Sequence, residues 1–179
     1  MNNEEELIEM SKRGDPAAFS ALYNRHSEAV YDSIIRLVKY TAEAEDILQE
    51  SFIAAFRSIA NFKPGGGFRA WVKRIAINKS IDCIRKRKIG IVELRPDLIT
   101  KTEEEAIDEE AFEFTMNAVM AAIDLLPDNY RTIFVLYAVE NIPQPEIARM
   151  LAMNYSTVRI QYQRAKQRIL CSLGKSVLS

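Results

Sequence analysis

The sequence is short of the side chains that most often carry chemistry. Among 179 residues there is one histidine, His26, and two cysteines, Cys83 and Cys171, far apart and in no CxxC spacing. That argues against a zinc site or a disulfide framework. Both cysteines fall in helical patterns, where they are expected as small buried hydrophobes. No uninterrupted apolar stretch approaches a membrane span. Glu4, Glu5 and Glu6 do not suit a signal peptide, which opens on basic residues and an apolar run. Strand signals are nearly absent. Carboxylates abound, yet none falls beside a histidine, nucleophile or metal pattern. The expectation is a reduced, cytoplasmic, all-α protein with no metal, no cofactor, no small-molecule substrate and no active site.

What is present is charge, unevenly placed. The formal net charge is only −1, but residues 1–90 carry 15 basic and 12 acidic side chains, residues 91–126 carry 2 and 10, and residues 127–179 carry 7 and 3. Two cationic blocks flank an acidic one, so the bulk isoelectric point is a poor guide. Between Arg57 and Lys88, ten Lys or Arg accompany a single acid, Asp82. Such a stretch suits a polyanion. With 48% apolar residues, a packed core is also within reach.

Helical periodicity is nearly continuous. Asp15 followed by Pro16 reads as a cap and a first-turn proline. Phe19, Leu22, Val30, Ile34 and Leu37 then mark one helix face. A second helix is expected from about Ala42 to Ala60, with Ile47, Leu48, Phe52, Ala55, Phe56 and Ile59 inward. Asn61 to Gly67, with Pro64 beside three glycines, must break it. A third helix opens near Phe68 and runs through Trp71, Ile75 and Ile84 into Arg85, Lys86, Arg87 and Lys88. Gly90 to about Lys101 reads as an irregular connector, continued by the acidic stretch Glu103–Glu110. Phe112, Met116, Val119, Ile123 and Leu126 alternate four- and three-residue steps, the mark of another helix. The next opens at Leu126-Pro127-Asp128, with Tyr130, Ile133, Phe134 and Tyr137 inward. The whole reads as two small helical domains, residues 1–90 and 112–179, joined by a flexible acidic linker at 91–111.

The end of the chain carries the sharpest pattern. Ile147, Ala148 and Leu151 form the small and apolar set that lets a second helix cross closely, and Asn154 suits the cap of that second helix. Val158, Ala165 and Ile169 then face inward, while Arg159, Arg164, Lys166 and Arg168 offer cations. This is a helix-turn-helix whose second helix suits DNA phosphates and base edges, although an amphipathic helix pair with a charged outer face would share the pattern.

Earlier in the chain, the triple glycine lacks the lysine and preceding strand of a phosphate-binding loop. Phe62 and Phe68 bracket it among cations, an arrangement that suits single-stranded nucleic acid, where bases stack on rings and the backbone meets charge. Trp71, Lys73, Arg74, Asn78 and Lys79 extend it with a ring, cations and an amide able to read a base edge. Trp71 is equally at home in a core, and a basic helix end also suits the helix dipole.

Four segments in this order resemble bacterial sigma factors: Gly14-Asp-Pro-Ala-Ala-Phe19, Asp46-Ile-Leu-Gln-Glu-Ser-Phe52, Phe68 to Asn78, and Leu126-Pro127 followed by the helix-turn-helix. The short two-domain layout resembles the extracytoplasmic-function (ECF) group. The resemblance covers about residues 7–90 and 112–173. It implies a subunit that binds core RNA polymerase through the beta-prime clamp helices and the beta flap, recognises promoter DNA and promotes its melting. Asp46, Gln49, Glu50 and Phe52 match the clamp-docking segment. The Asn61–Gly67 loop matches one that captures a base flipped from the −10 element, with Phe62 and Asn78 lining the site. Lys63, Trp71, Lys73, Arg74, Arg85, Lys86 and Arg87 fall with the melting and backbone-binding residues. Thr157, Arg159, Ile160, Gln161, Gln163 and Arg164 fall where the family reads the −35 element. The linker matches a connector that threads toward the polymerase active-site channel. The family is usually held inactive by an anti-sigma factor, often membrane-anchored.

Departures from the family fall at four places. Ala152 stands where glycine is usual in the turn, and Arg159-Ile160-Gln161 replaces a Lys/Arg-Ser-Arg run. Tyr137 stands where some members place a DNA-contacting arginine, and Pro143 and Pro145 replace the usual Ser and Glu. Three rival readings share parts of the pattern: a freestanding helix-turn-helix regulator, a degenerate sigma-like module that binds only protein, and a nucleic-acid enzyme. The first leaves Asp46–Phe52 and the aromatic, basic loop unexplained. The last lacks any catalytic constellation.

Overall fold

The structure is a computed structural model that describes residues 3–63, 65–91 and 116–177; side chains are described to Arg87 and from Met116 to Gly174. Among these residues there are only helices and turns, as the periodicity predicts. The expectations for Phe112 and for Glu103–Glu110 lie outside the described residues. The chain divides into two compact units, Met1–Lys88 and Ile89–Ser179.

The first unit begins with a helix that the sequence reading did not anticipate, α1 (Asn3–Lys12). Its first turn is acidic, which complements the positive end of the helix dipole, and Ile8 buries against the body of the unit. α2 (Pro16–Val38) follows the predicted cap: the Asp15 carboxylate accepts hydrogen bonds from the backbone N–H of Ala17 (2.8 Å) and Ala18 (3.3 Å), and Pro16 takes the first helical position. Leu22, Val30, Ile34 and Leu37 are buried as expected, while Phe19 is half-buried and stacks on Phe56 (4.6 Å between centroids). α1 is tied to α2 at its N-terminal end. Arg25 donates to the Asn3 side chain at 3.0 Å and lies 3.7 Å from the Glu4 carboxylate. The same carboxylate stands 3.2 Å from the buried His26 Nε2, within ion-pairing range but without an aligned hydrogen bond.

α3 (Thr41–Arg57) and the short 3₁₀ turn Ile59–Asn61 replace the single helix expected to Ala60. The chain then crosses the glycine segment. Gly67 adopts φ +75°, a left-handed conformation that an L side chain resists, and its carbonyl accepts from Trp71 N as α4 (Phe68–Ile91) begins. α4 runs beyond the expected end, so that Gly90 is helical rather than part of the connector.

In the second unit α5 (Met116–Asp124), α6 (Asp128–Phe134) and α7 (Gln144–Leu151) all pack against α8 (Tyr155–Val177). Val158, Ala165 and Ile169 line the buried side of α8, as predicted, with Leu173. Of the four residues expected inward on α6 and beyond, Ile133 is buried, Tyr130 and Phe134 are half-buried and Tyr137 is exposed. Val135–Val139 forms a single π-turn, whose extra residue per turn rotates Tyr137 out of the inward stripe. The cysteines also depart from expectation: Cys83 is half-buried and Cys171 exposed.

Candidate nucleic-acid interface

Three surfaces carry the residues singled out in the sequence. The first is the outer face of α3. Asp46, Gln49 and Glu50 are exposed there, on successive turns. Phe52 is not: it is 2% exposed, with its ring 4.8 Å from Tyr23 and 5.9 Å from Phe56. The expectation that Phe52 docks a partner directly is corrected, because its place on the inner stripe of α3 commits it to the core. Ile53, one residue on, is the exposed hydrophobe of this face. A large aliphatic flanked by acids and amides was the available signal, and the sequence reading passed over it.

The second surface is built around α4. A ladder of rings runs from Tyr23 through Phe52, Phe56 and Phe68 to Phe62 and Trp71, with successive centroids between 4.8 and 6.4 Å apart. Aromatic pairs in this range add to the area they bury. Phe62 is 6% exposed and edge-on to Phe68, so its ring packs as an inner wall rather than standing free in the loop. Trp71 is the half-buried end of the ladder, 5.2 Å from Phe62. Asn78, two helical turns on and therefore on the same side of α4, is exposed. Lys73 and Arg74 are half-buried and Lys63 and Lys86 exposed.

The basic end of α4 divides in the structure. Arg85 lies 3.9 Å from Asp82 on its own helix. Arg87 is tied to the protein: it ion-pairs with Glu43, donates to the Val38 carbonyl at 3.2 Å and lies 4.8 Å from the centre of the Tyr40 ring. With carboxylate, carbonyl and ring engaged, the half-buried Arg87 guanidinium clamps α4 to the α2–α3 corner. Farther up, Lys79 reaches Glu50 on α3 at 2.9 Å.

The third surface is the helix-turn-helix. Ala152 occupies the turn at φ 52°, ψ 44°, the left-handed conformation that glycine usually supplies, and its N–H donates to the Ala148 and Arg149 carbonyls. This ends α7 and redirects the chain into α8. On α8, Arg159, Ile160 and Gln163 are exposed, and Thr157, Gln161 and Arg164 are half-buried. The Gln161 carbonyl oxygen is buried without a hydrogen-bond partner. Arg168 lies over the Tyr130 ring at 5.1 Å. Sequence reasoning missed Arg131, which is 1% exposed, 2.9 Å from Asp128 and 3.4 Å from the Leu126 carbonyl. Its guanidinium braces the α5–α6 turn; an arginine on an amphipathic segment gives no hint of such burial.

The described residues contain no cluster of His, Cys, Asp and Glu able to hold a metal, and no helix long and apolar enough to cross a membrane. The family models Sigma-70 region 2 and Sigma-70 region 4 match residues 22–89 and 116–169. ECF RNA polymerase sigma factor SigW of Bacillus subtilis is 30% identical over 178 residues, covering 89% of this chain and 91% of SigW. The chain belongs to the ECF sigma factors of bacterial RNA polymerase. ECF sigma factor SigE of Mycolicibacterium smegmatis is 33% identical over 168 residues, covering 90% of this chain, which spans 65% of SigE's length. In fold, the chain is similar to CnrH as solved with the cytosolic domain of CnrY (TM-score 0.54, 24% identity, 96% of this chain and 97% of that one). As an ECF sigma factor, the protein acts with core RNA polymerase in promoter recognition and transcription initiation.

Proposed function

We propose that this sigma factor holds its promoter by two separate grips. Residues 1–90 form the region 2 domain, in which Asp46, Gln49, Glu50 and Ile53 present the surface that docks on the polymerase clamp. Trp71 and Asn78 engage the melted −10 strand, with Lys63, Lys73, Arg74, Arg85 and Lys86 against its backbone. Residues 91–111 connect the grips. In residues 112–179, the region 4 domain, Thr157, Arg159, Ile160, Gln163 and Arg164 meet the −35 duplex. The observation that carries this reading is the exposure pattern from Phe62 along α4. Phe62 and Phe68 sink into the core, Trp71 half emerges, and Asn78 stands in solvent on the same side, within the most cationic stretch of the chain. Extruding a base costs a few kcal/mol, which stacking on a ring and hydrogen bonds to the base edge offset.

On this reading the protein works in the cytoplasm and catalyses nothing itself; polymerase supplies the chemistry. An anti-sigma factor completes the set of partners, in keeping with CnrH bound to CnrY and with RpoE of Bartonella quintana, solved in complex with the anti-sigma factor NepR. Run-off transcription with purified core polymerase on genomic fragments tests the reading. Discrete transcripts that require the protein are expected. Duplex binding without core association would point to a freestanding regulator, and core binding without initiation to a protein-binding module.

A further inference from the structure

Ile160 is out of place by the rules that order the rest of α8. Val158, Ile169 and Leu173 are at most 5% exposed and Leu170 is half-buried, whereas Ile160 is 52% exposed. Standing two residues beyond the fully buried Val158, it points roughly 200° around the helix from the core-facing side. Its helical neighbours are the exposed Ser156 and Gln163 and the half-buried Thr157 and Arg164, with the exposed Arg159 beside it in sequence. Apart from the Thr157 methyl and the Arg164 stem these offer no apolar surface, and they leave Ile160 52% exposed.

Its position is the N-terminal part of the second helix of a helix-turn-helix, the part that meets base edges in the major groove. An isoleucine there has no hydrogen-bond donor or acceptor, so it cannot distinguish purines or read cytosine. The one apolar feature on the major-groove edges of the four bases is the C5-methyl group of thymine. The β-branched side chain is stiff about χ1, so ordering it against a methyl group costs little entropy. We propose that Ile160 is a specificity-determining residue that selects thymine, by its methyl group, at one position of the −35 element. This rests on the assignment of α8 to the −35 duplex made above.

The test uses the full chain with core polymerase and a promoter pool randomised in the upstream element. The pool is expected to enrich thymine at one position in that element. Replacing that thymine by deoxyuridine, which removes the methyl group and nothing else, weakens binding roughly fourfold, the effect of one methylene-sized burial. Ile160→Gln abolishes the sensitivity to deoxyuridine and Ile160→Val retains it, while the melting temperatures of both variants stay at the wild-type value. An enriched upstream element with no deoxyuridine-sensitive thymine overturns this inference and leaves the −35 reading intact. Equal sensitivity in wild type and Ile160→Gln also overturns it. A pool that enriches no upstream element overturns the −35 reading and this inference with it.

Discussion

Lys79 Nζ on α4 lies 2.9 Å from Glu50 Oε2 on α3. The pair joins the helix that carries Asn78 to the face proposed to dock on polymerase. Both side chains keep much of their solvent exposure, so the bond contributes at most about 1 kcal/mol. Stability is therefore not its main consequence. A partner that engages Glu50 competes with Lys79 and releases a cation beside Asn78.

That arrangement separates binding from folding on α3. Glu50→Gln and Ile53→Ser are expected to lower affinity for core polymerase while leaving the melting temperature nearly unchanged. Phe52→Ala is expected to cost about 3–5 kcal/mol, because it removes a fully packed ring from the aromatic ladder and leaves a cavity. Core-binding titrations alongside thermal unfolding check this. A Phe52→Ala protein of normal stability that has lost only core binding would contradict the burial argument.

The basic end of α4 divides in the same way. Arg87→Ala strips the half-buried corner of its ion pair with Glu43 and its bond to the Val38 carbonyl, and should destabilise the protein by about 1 kcal/mol. Lys86→Ala, at an exposed position, should leave stability alone and lower the salt dependence of promoter binding by roughly one unit of log slope. Urea unfolding and binding at several salt concentrations tell the two apart.

Ala152 carries a left-handed backbone with a Cβ attached. Ala152→Gly relieves that strain and also raises the entropy of the unfolded chain, so the net gain is about 0.5–1 kcal/mol. A rise in the melting temperature, with promoter selectivity retained, is the expected result. A fall would show that the turn holds Ala152 without strain.

His26 makes the fold sensitive to acid. Burial holds its pKa below the ordinary 6.5; Arg25 and Arg69 push the same way, while Glu4 opposes them. The folded state thus binds the proton less readily than the unfolded chain. Stability is fully present above pH 6.5, falls as the pH drops from there toward the depressed folded pKa, and then levels off. His26→Gln should flatten this part of the stability profile. Unfolding at a series of pH values between 5 and 8 checks it, and an unchanged slope in the variant would remove His26 as the cause.

Much of this architecture was legible in the sequence because local chemistry and tertiary packing agree. The Asp15 cap, the inward stripe of α2 and the buried Val158, Ala165 and Ile169 each follow from spacing alone. The failures have physical causes. Periodicity on α3 placed Phe52 inward, as found; its docking role came only from the resemblance, which matches a segment without saying which of its side chains face out. Phe62 lies in a loop, where no period says which way a ring turns once other rings offer it contacts. Arg87 reads as one more cation in a basic run until Glu43, Val38 and Tyr40, distant in sequence, close around it. Arg131 is buried against a carbonyl that only the folded turn presents. α1 buries only Ile8 and Ser11 and so shows no apolar stripe, although Glu4, Glu5 and Glu6 favour a helix N-terminus.

The division of labour between the two grips is tested most directly by a crossed measurement on one promoter with holoenzyme. Initial duplex binding and permanganate reactivity of melted thymines are read for wild type, Asn78→Ala and Arg159→Ala. The account predicts that Asn78→Ala binds the duplex normally but loses melting, whereas Arg159→Ala binds weakly yet melts whatever it binds. Equal loss of both properties in both variants would contradict it.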